Sequence, residues 1–173
     1  NKKENDIRKG DCMKAFLILE DGHVFTGTSI GSAREVISEI VFNTSMTGYL
    51  EVMTDPSYAG QAVCMTYPLI GNYGICYDDQ ESTRPWIDAF IVRELSRVPS
   101  NFRSVDTIQH FLTKHDIPGI AGIDTRALTK ILREKGTMNG MITVDENYDL
   151  NAILPKLKAY TTGKVVEMVT CRE

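Results

Sequence analysis

The chain has 173 residues, of which 42% are apolar and 24% are charged. This length and balance are typical of one globular domain with at most short tails. The formal net charge of −4 argues against a nucleic-acid-binding protein, because such proteins usually present a basic surface.

The cysteines and the hydropathy pattern argue against zinc-binding, secreted and membrane-spanning proteins. No Cys-x-x-Cys pair occurs, so we predict no structural zinc or other metal site. Cys12 and Cys171 lie in predicted tails, whereas Cys64 and Cys76 lie among apolar residues and are predicted to be buried, reduced thiols. No apolar run reaches the ~18 residues of a membrane span, and residues 1–12 lack the apolar core of a secretory signal. We therefore predict a cytoplasmic protein without a membrane partner.

A β-hairpin is the first predicted unit after a flexible tail over residues 1–12. Lys14–Leu19 is an apolar strand, and residues 24–30 form a roughly alternating return strand. Asp21-Gly22 between them is a strong hairpin signal, because glycine tolerates a positive φ.

The middle of the chain alternates strands with one short helix. A helix with Thr47 as its N-cap must end before Pro56, because proline excludes the helical region for the preceding residue. The predicted elements are a strand over 35–44, with Val36, Ile40 and Phe42 on one face, a helix over 47–53, a strand over 62–66, a loop over 68–77 and an exposed acidic patch over 78–82.

The second half carries three more strands and three helices. Ser104 is predicted to cap one helix and Asp124 another, and Pro155 predicts a kink or a late start in the last helix. The predicted elements are strands over 86–93, 117–123 and 138–144, and helices from Ser104 to His115, from Thr125 to Lys135 with Gly136 as the C-terminal stop, and from residue 149 onward.

The residues alone indicate little chemistry. The sequence contains no Walker loop, dinucleotide fingerprint, zinc-protease motif or nucleophile elbow. Asp55-Pro56-Ser57-Tyr58 is either a simple turn or a loop that presents a hydroxyl to a ligand, and the residues by themselves favour the turn. The surrounding stretch 39–74 mixes aromatic with small residues, which suits a packed domain or subunit interface.

Several motifs together resemble one family, the small chain of glutamine-hydrolysing carbamoyl-phosphate synthetase, over its N-terminal domain. The resemblance runs from Met13 to Thr143 in the same order, and at Leu50 this chain departs from the family's more frequent Gln. The motifs lie at residues 19–22, 41–49, 54–58, 66–74, 100–103, 122–129 and 133–136.

The resemblance implies a mixed α/β fold: a β/β/α swivelling-type domain over residues 13–160, with an N-terminal β-hairpin and three or so helices. Residues 161–173 would be a linker toward a glutaminase domain. In the family, that domain releases ammonia from glutamine, and the large chain combines it with bicarbonate and ATP to make carbamoyl phosphate for pyrimidine and arginine synthesis. The implied partners are the large chain, the chain's own glutaminase domain and L-glutamine.

Ser57 is the site residue that the resemblance implies, since the family's Asp-Pro-Ser-Tyr serine reaches the bound glutamine. The family's catalytic Cys, His and Glu have no counterpart here, and Cys64, Cys76 and Cys171 do not match the nucleophile. We therefore expect no catalysis from this chain alone and no cofactor in this domain, with ATP and a divalent metal on the large chain. The alternative is a free-standing scaffold domain without a glutaminase, which the reading frame after Glu173 would distinguish.

Overall fold

The computed structural model describes residues 13–75, 81–82, 84–96 and 106–163. Within these residues the chain forms nine strands, four α-helices and one 3₁₀ helix. In chain order they are β1 (Lys14–Leu19), β2 (Val24–Ser29), β3 (Val36–Asn43), α1 (Tyr49–Thr54), the 3₁₀ helix (Pro56–Tyr58), β4 (Gln61–Met65), β5 (Leu69–Ile70), β6 (Ala89–Ile91), β7 (Glu94–Leu95), α2 (Ile108–Lys114), β8 (Gly119–Ala121), α3 (Thr125–Lys135), β9 (Met138–Thr143) and α4 (Leu150–Ala159).

Some expectations fall outside the described residues. They concern the tail 1–12, Cys76, Cys171, the acidic residues 78–80, the helix cap Ser104 and the linker from residue 164 onward.

Seven strands close into a barrel in the order β1-β2-β8-β6-β4-β3-β9. The neighbours β8, β6, β4 and β3 run parallel, whereas β1, β2 and β9 join the barrel through antiparallel pairs. The predicted hairpin forms as β1 and β2, with Ile18 opposite Val24 next to the turn. The mixed α/β class is thereby confirmed, and the parallel strands place their carboxyl ends at one common edge.

Two of the hydrophobic clusters take alternate residues of the central strands, as the two-residue period of a strand requires. One cluster combines Leu17, Ile40 and Cys64 with residues of α3. The other takes the intervening residues, such as Val63 and Phe90, and packs them against α1 and α2. The predicted face of β3 is confirmed, because Val36, Ile40 and Phe42 all contact the first cluster.

The helix α2 begins later than predicted. Its first residue is Ile108, and the side chain of Thr107 caps it by accepting a hydrogen bond from the His110 amide at 3.2 Å. The cap of the described helix is therefore Thr107, a favoured cap residue like the predicted Ser104, which itself lies outside the described residues. Ile108, Phe111 and Leu112 form its buried face.

Two short strands were not predicted. Leu69–Ile70 lies in the predicted loop 68–77 and pairs in parallel with Glu94–Leu95. Of the predicted strand over residues 86–93, only Ala89–Ile91 forms β6, and residues 94–95 form β7. Two-residue strands escape the pattern because so short a segment has no measurable periodicity.

The last two helices, α3 and α4, begin close to where the sequence predicts, and only the prediction made from Pro155 differs. Asp124 caps α3 by accepting from the Ala127 amide at 3.0 Å, and Gly136 ends the helix with a φ of 88°. Asp149 caps α4, and the helix continues through Pro155. The predicted late start of that helix is therefore wrong.

Candidate functional site

The stretch 39–74 folds into β3, α1, the 3₁₀ helix, β4 and β5 in succession. Its strands bury most of their apolar residues, and Tyr67 and Tyr73 lie in its loops. Ser57, the predicted site residue, is the central residue of the 3₁₀ helix Pro56–Tyr58.

Ser57 is exposed at the surface on a well-fixed turn. The Asp55 carboxylate accepts a hydrogen bond from the Ser57 amide at 2.8 Å, and the Asp55 carbonyl accepts one from the Tyr58 amide at 3.1 Å. The turn predicted from the residues is therefore confirmed. Within the described residues the Ser57 hydroxyl has no hydrogen-bond partner, so the same turn leaves it free to donate to a ligand or accept from one.

Asn43 holds the 3₁₀ helix against the end of β3. Its side-chain amide donates to the Tyr58 hydroxyl at 2.9 Å, and its side-chain oxygen accepts from the Ser45 amide at 2.7 Å. One side chain thus links the loop after β3 to the turn that carries Ser57. This link restricts the position of Ser57, as a preformed site requires.

Tyr73 supplies the N-terminal cap of α1 from the following loop. Its hydroxyl oxygen accepts hydrogen bonds from the amides of Gly48 at 2.6 Å and Tyr49 at 3.3 Å. The N-cap position is Gly48, with a φ of 79°, and no cap residue of the helix itself makes a side-chain bond. The predicted cap Thr47 is therefore wrong, because a hydroxyl from a distant loop satisfies the free amides instead.

The same loop is fixed by Tyr49. The rings of Tyr49 and Tyr73 stack with centroids 4.2 Å apart, and the Tyr49 hydroxyl donates to the Gly74 carbonyl at 2.6 Å. The three motifs 41–49, 54–58 and 66–74 are thus connected through three tyrosines and one asparagine. Sequence reasoning missed Asn43 and Tyr73; the available signal was a polar residue ending an apolar strand and an aromatic residue inside a glycine turn.

Cys64 is not a nucleophile in this fold. It lies in β4 with no exposed surface, and burial raises the pKa of its thiol to about 12. A thiol with that pKa stays protonated near neutral pH, and the thiolate is the nucleophilic form. The prediction of a buried, reduced thiol is confirmed for Cys64.

The described residues offer no site for a metal ion. They contain no group of three or more His, Cys, Asp or Glu side chains placed to hold a metal ion. Among these same residues, none of the helices has the length and apolarity needed to cross a bilayer.

Comparison with known proteins identifies the family. The family model described as "Carbamoyl-phosphate synthase small chain, CPSase domain" matches residues 17–142. The chain belongs to this family.

Curated relatives agree with that assignment. The carbamoyl phosphate synthase small chain of Clostridium perfringens is 52% identical over 161 residues, which cover 93% of this chain and 46% of the relative. The Oceanobacillus iheyensis small chain is 56% identical over 84% of this chain and 39% of its own length. A pyrimidine-specific carbamoyl phosphate synthase small chain of Halalkalibacterium halodurans is 51% identical over 87% of this chain and 41% of its own length. The chain thus spans less than half the length of these relatives.

Proposed function

We propose that this chain is the N-terminal domain of the small, glutamine-hydrolysing chain of carbamoyl-phosphate synthetase. In the complete enzyme it would pack on the large chain and help to form the glutamine site. Ammonia from glutamine would then be combined with bicarbonate and ATP to give carbamoyl phosphate, a carbon-nitrogen ligase reaction that serves pyrimidine and arginine synthesis. The single observation that carries the proposal is the 52% identity to a small chain over 93% of this chain.

Ser57 is proposed to be this domain's contribution to the glutamine site. Its support is an exposed hydroxyl, free of partners among the described residues, on a turn that Asp55 and Asn43 hold in place. A hydroxyl can donate to the carboxylate of an amino acid or accept from its ammonium group. The groups that react with the amide, namely a nucleophile and oxyanion donors, would lie on the glutaminase domain.

The competing explanation is that Ser57 only stabilises the turn. A glutamine-binding role and a purely structural role predict different kinetics. Ser57→Ala in the full small chain, assayed with the large chain, should raise the KM for glutamine about two- to tenfold, since one hydrogen bond contributes about 0.5–1.5 kcal/mol. Synthesis from added ammonia should stay at the wild-type rate, because ammonia bypasses the glutamine site.

Ser57→Thr is the matched control, since it keeps a hydroxyl at this position. It should retain a KM closer to that of the wild type. An equal loss of glutamine-dependent and ammonia-dependent synthesis in Ser57→Ala would show a structural role for Ser57 and contradict the proposed site.

A shared glutamine site also predicts the behaviour of the chain by itself. Calorimetry with L-glutamine should give no saturable heat for this domain, because a single hydroxyl lacks the enclosure of an amino-acid pocket. Saturable binding would mean that the domain has a complete pocket of its own.

A further inference from the structure

A groove lies at the common edge where the parallel strands end. Thr44 directly follows β3, Thr66 directly follows β4, Arg93 lies two residues after β6, and Thr125 begins α3 after β8. All four residues line a cavity of about 650 Å³. The carboxyl ends of parallel strands are where open α/β sheets and parallel barrels commonly place their binding sites.

One wall of the groove is a basic face of α3. Arg126, Lys130 and Arg133 recur at helical spacing, line the cavity and are exposed. Together with Arg93, which lines the same cavity, they place four cationic side chains around it. We call the surface formed by these four residues the basic groove.

The arginines of the basic groove are not neutralised within the described part of the chain. Arg93 and Arg126 form no ion pair there, and the guanidinium of Arg133 lies over the Phe42 ring, 5.5 Å from its centroid. Lys130 and Glu134, another residue of the cavity, are 3.9 Å apart and mostly exposed. Among the described residues that line the cavity, one acidic residue, Glu134, therefore accompanies four cationic residues, in a chain whose net charge is −4.

Exposed apolar side chains lie close in the chain to residues that line the same cavity. Met46, Tyr67 and Leu69 are 65%, 38% and 37% exposed and are three of the four exposed large apolar residues among those described. Tyr67 and Leu69 flank Pro68, which lines the cavity, and Met46 lies two residues after Thr44. Arginine, tyrosine and methionine are enriched in protein interfaces, whereas a site for a small anion needs no apolar border.

We propose that the basic groove is the docking surface for the large chain, through a segment that carries acidic side chains. This inference rests on the proposed function, which supplies the partner chain. Carboxylates of the partner pair with Arg93, Arg126 and Arg133, and its apolar side chains cover Met46 and Tyr67. Charge complementarity of this kind orients the two chains and excludes partners without the acidic segment.

Charge reversal tests the proposal in the full small chain. In Arg126→Glu/Arg133→Glu, the Kd for the large chain should rise about tenfold or more, since like charges then face each other in the interface. The matched control is Lys156→Glu/Lys158→Glu, which makes the same change of charge at exposed positions of α4. That control should change the Kd by about threefold at most.

The salt dependence gives a second measurement of the same contact. Binding of the wild type should weaken as ionic strength rises, and binding of the groove variant should change less, because its attractive charge pairs are gone. Thermal unfolding of all variants checks that each is folded.

The outcomes separate this inference from the proposed function. If the wild type binds the large chain and the groove variant binds equally well, the docking surface is wrong and the proposed function stands. If the groove variant and the α4 control variant show the same increase in Kd, the change in net charge is the cause, and the docking surface is again wrong. If the wild type does not bind the large chain at all, the proposed function fails. A change only in the self-association of the small chain, seen by sedimentation, would assign the groove to a second copy and overturn the proposal.

Discussion

Asp21 lies in the β1–β2 turn and contacts two basic side chains. Its carboxylate is 2.7 Å from the Lys135 ammonium and 2.9 Å from the His23 ring, and it also accepts from the His23 amide at 3.1 Å. Burial raises the pKa of Asp21, but the hydrogen bonds from Lys135 and His23 outweigh it and hold the pKa at about 2, below its ordinary 3.8. The hairpin is thereby linked to the end of α3.

A lowered pKa in the folded state gives a defined pH dependence. The stabilisation from Asp21 is fully present above its unfolded pKa of 3.8 and is lost as the pH falls toward about 2. Asp21→Asn cannot titrate, so its free energy of unfolding should fall less than that of the wild type across this window, as measured by urea denaturation.

Lys135→Gln is the partner control for this prediction. It removes the strongest stabilising contact of the carboxylate, so the acid-induced loss should be smaller than in the wild type but larger than in Asp21→Asn. Parallel curves for the wild type and Asp21→Asn would contradict a lowered pKa.

At the scale of elements, α1 depends on another segment for its start. The helix has six residues, too few to be stable by itself in water. Tyr73 accepts from two of its free amides, and the ring of Tyr73 stacks on Tyr49 at the first position of the helix. The loop that follows β5 therefore determines where α1 begins.

Tyr73→Phe should destabilise the domain by about 1–3 kcal/mol, because the ring remains while two partly buried amides lose their acceptor. Urea denaturation measures the change. Tyr67→Phe is the control: its side chain is 38% exposed, and removing its hydroxyl should change stability by about 0.5 kcal/mol at most. Equal stability of Tyr73→Phe and the wild type would mean that water replaces the hydroxyl as the cap.

At the scale of the whole molecule, the barrel closes through a short pairing of β2 with β8. Thr28 pairs with Ala121 and Ser29 with Ile120. Gly27, next to this pairing, has no room for a side chain: an added Cβ would meet the Ala121 carbonyl oxygen and lie 2.9 Å from a side-chain carbon of Ile120. A glycine is needed there because the two strands approach closely.

Gly27→Ala should therefore destabilise the barrel by about 1–3 kcal/mol through overpacking. Hydrogen exchange should show the earliest loss of protection in β2 and β8. Gly163→Ala is the control, since an added Cβ there meets nothing within 4 Å. A stabilised Gly27→Ala variant would show that the two strands can separate without cost to the fold.

The sequence by itself determined the local elements and the family. Asp21-Gly22 specifies the hairpin turn, Asp124 specifies the start of α3, and the alternation in β3 specifies its buried face, because each signal depends on residues close together in the chain. The motif around Ser57 also identified the candidate site.

Only the tertiary structure decided the contacts between distant segments. The alternation of apolar and polar residues along a strand shows which face of the strand is buried, but not which strand lies beside it. Closure of the barrel and the β5–β7 pair were therefore not predicted. The same reason applies to the cap that Tyr73 gives to α1 and to the basic groove. Arg93 and Arg126 are far apart in the sequence, and they line one cavity because β6 and β8 are parallel neighbours that end at the same edge.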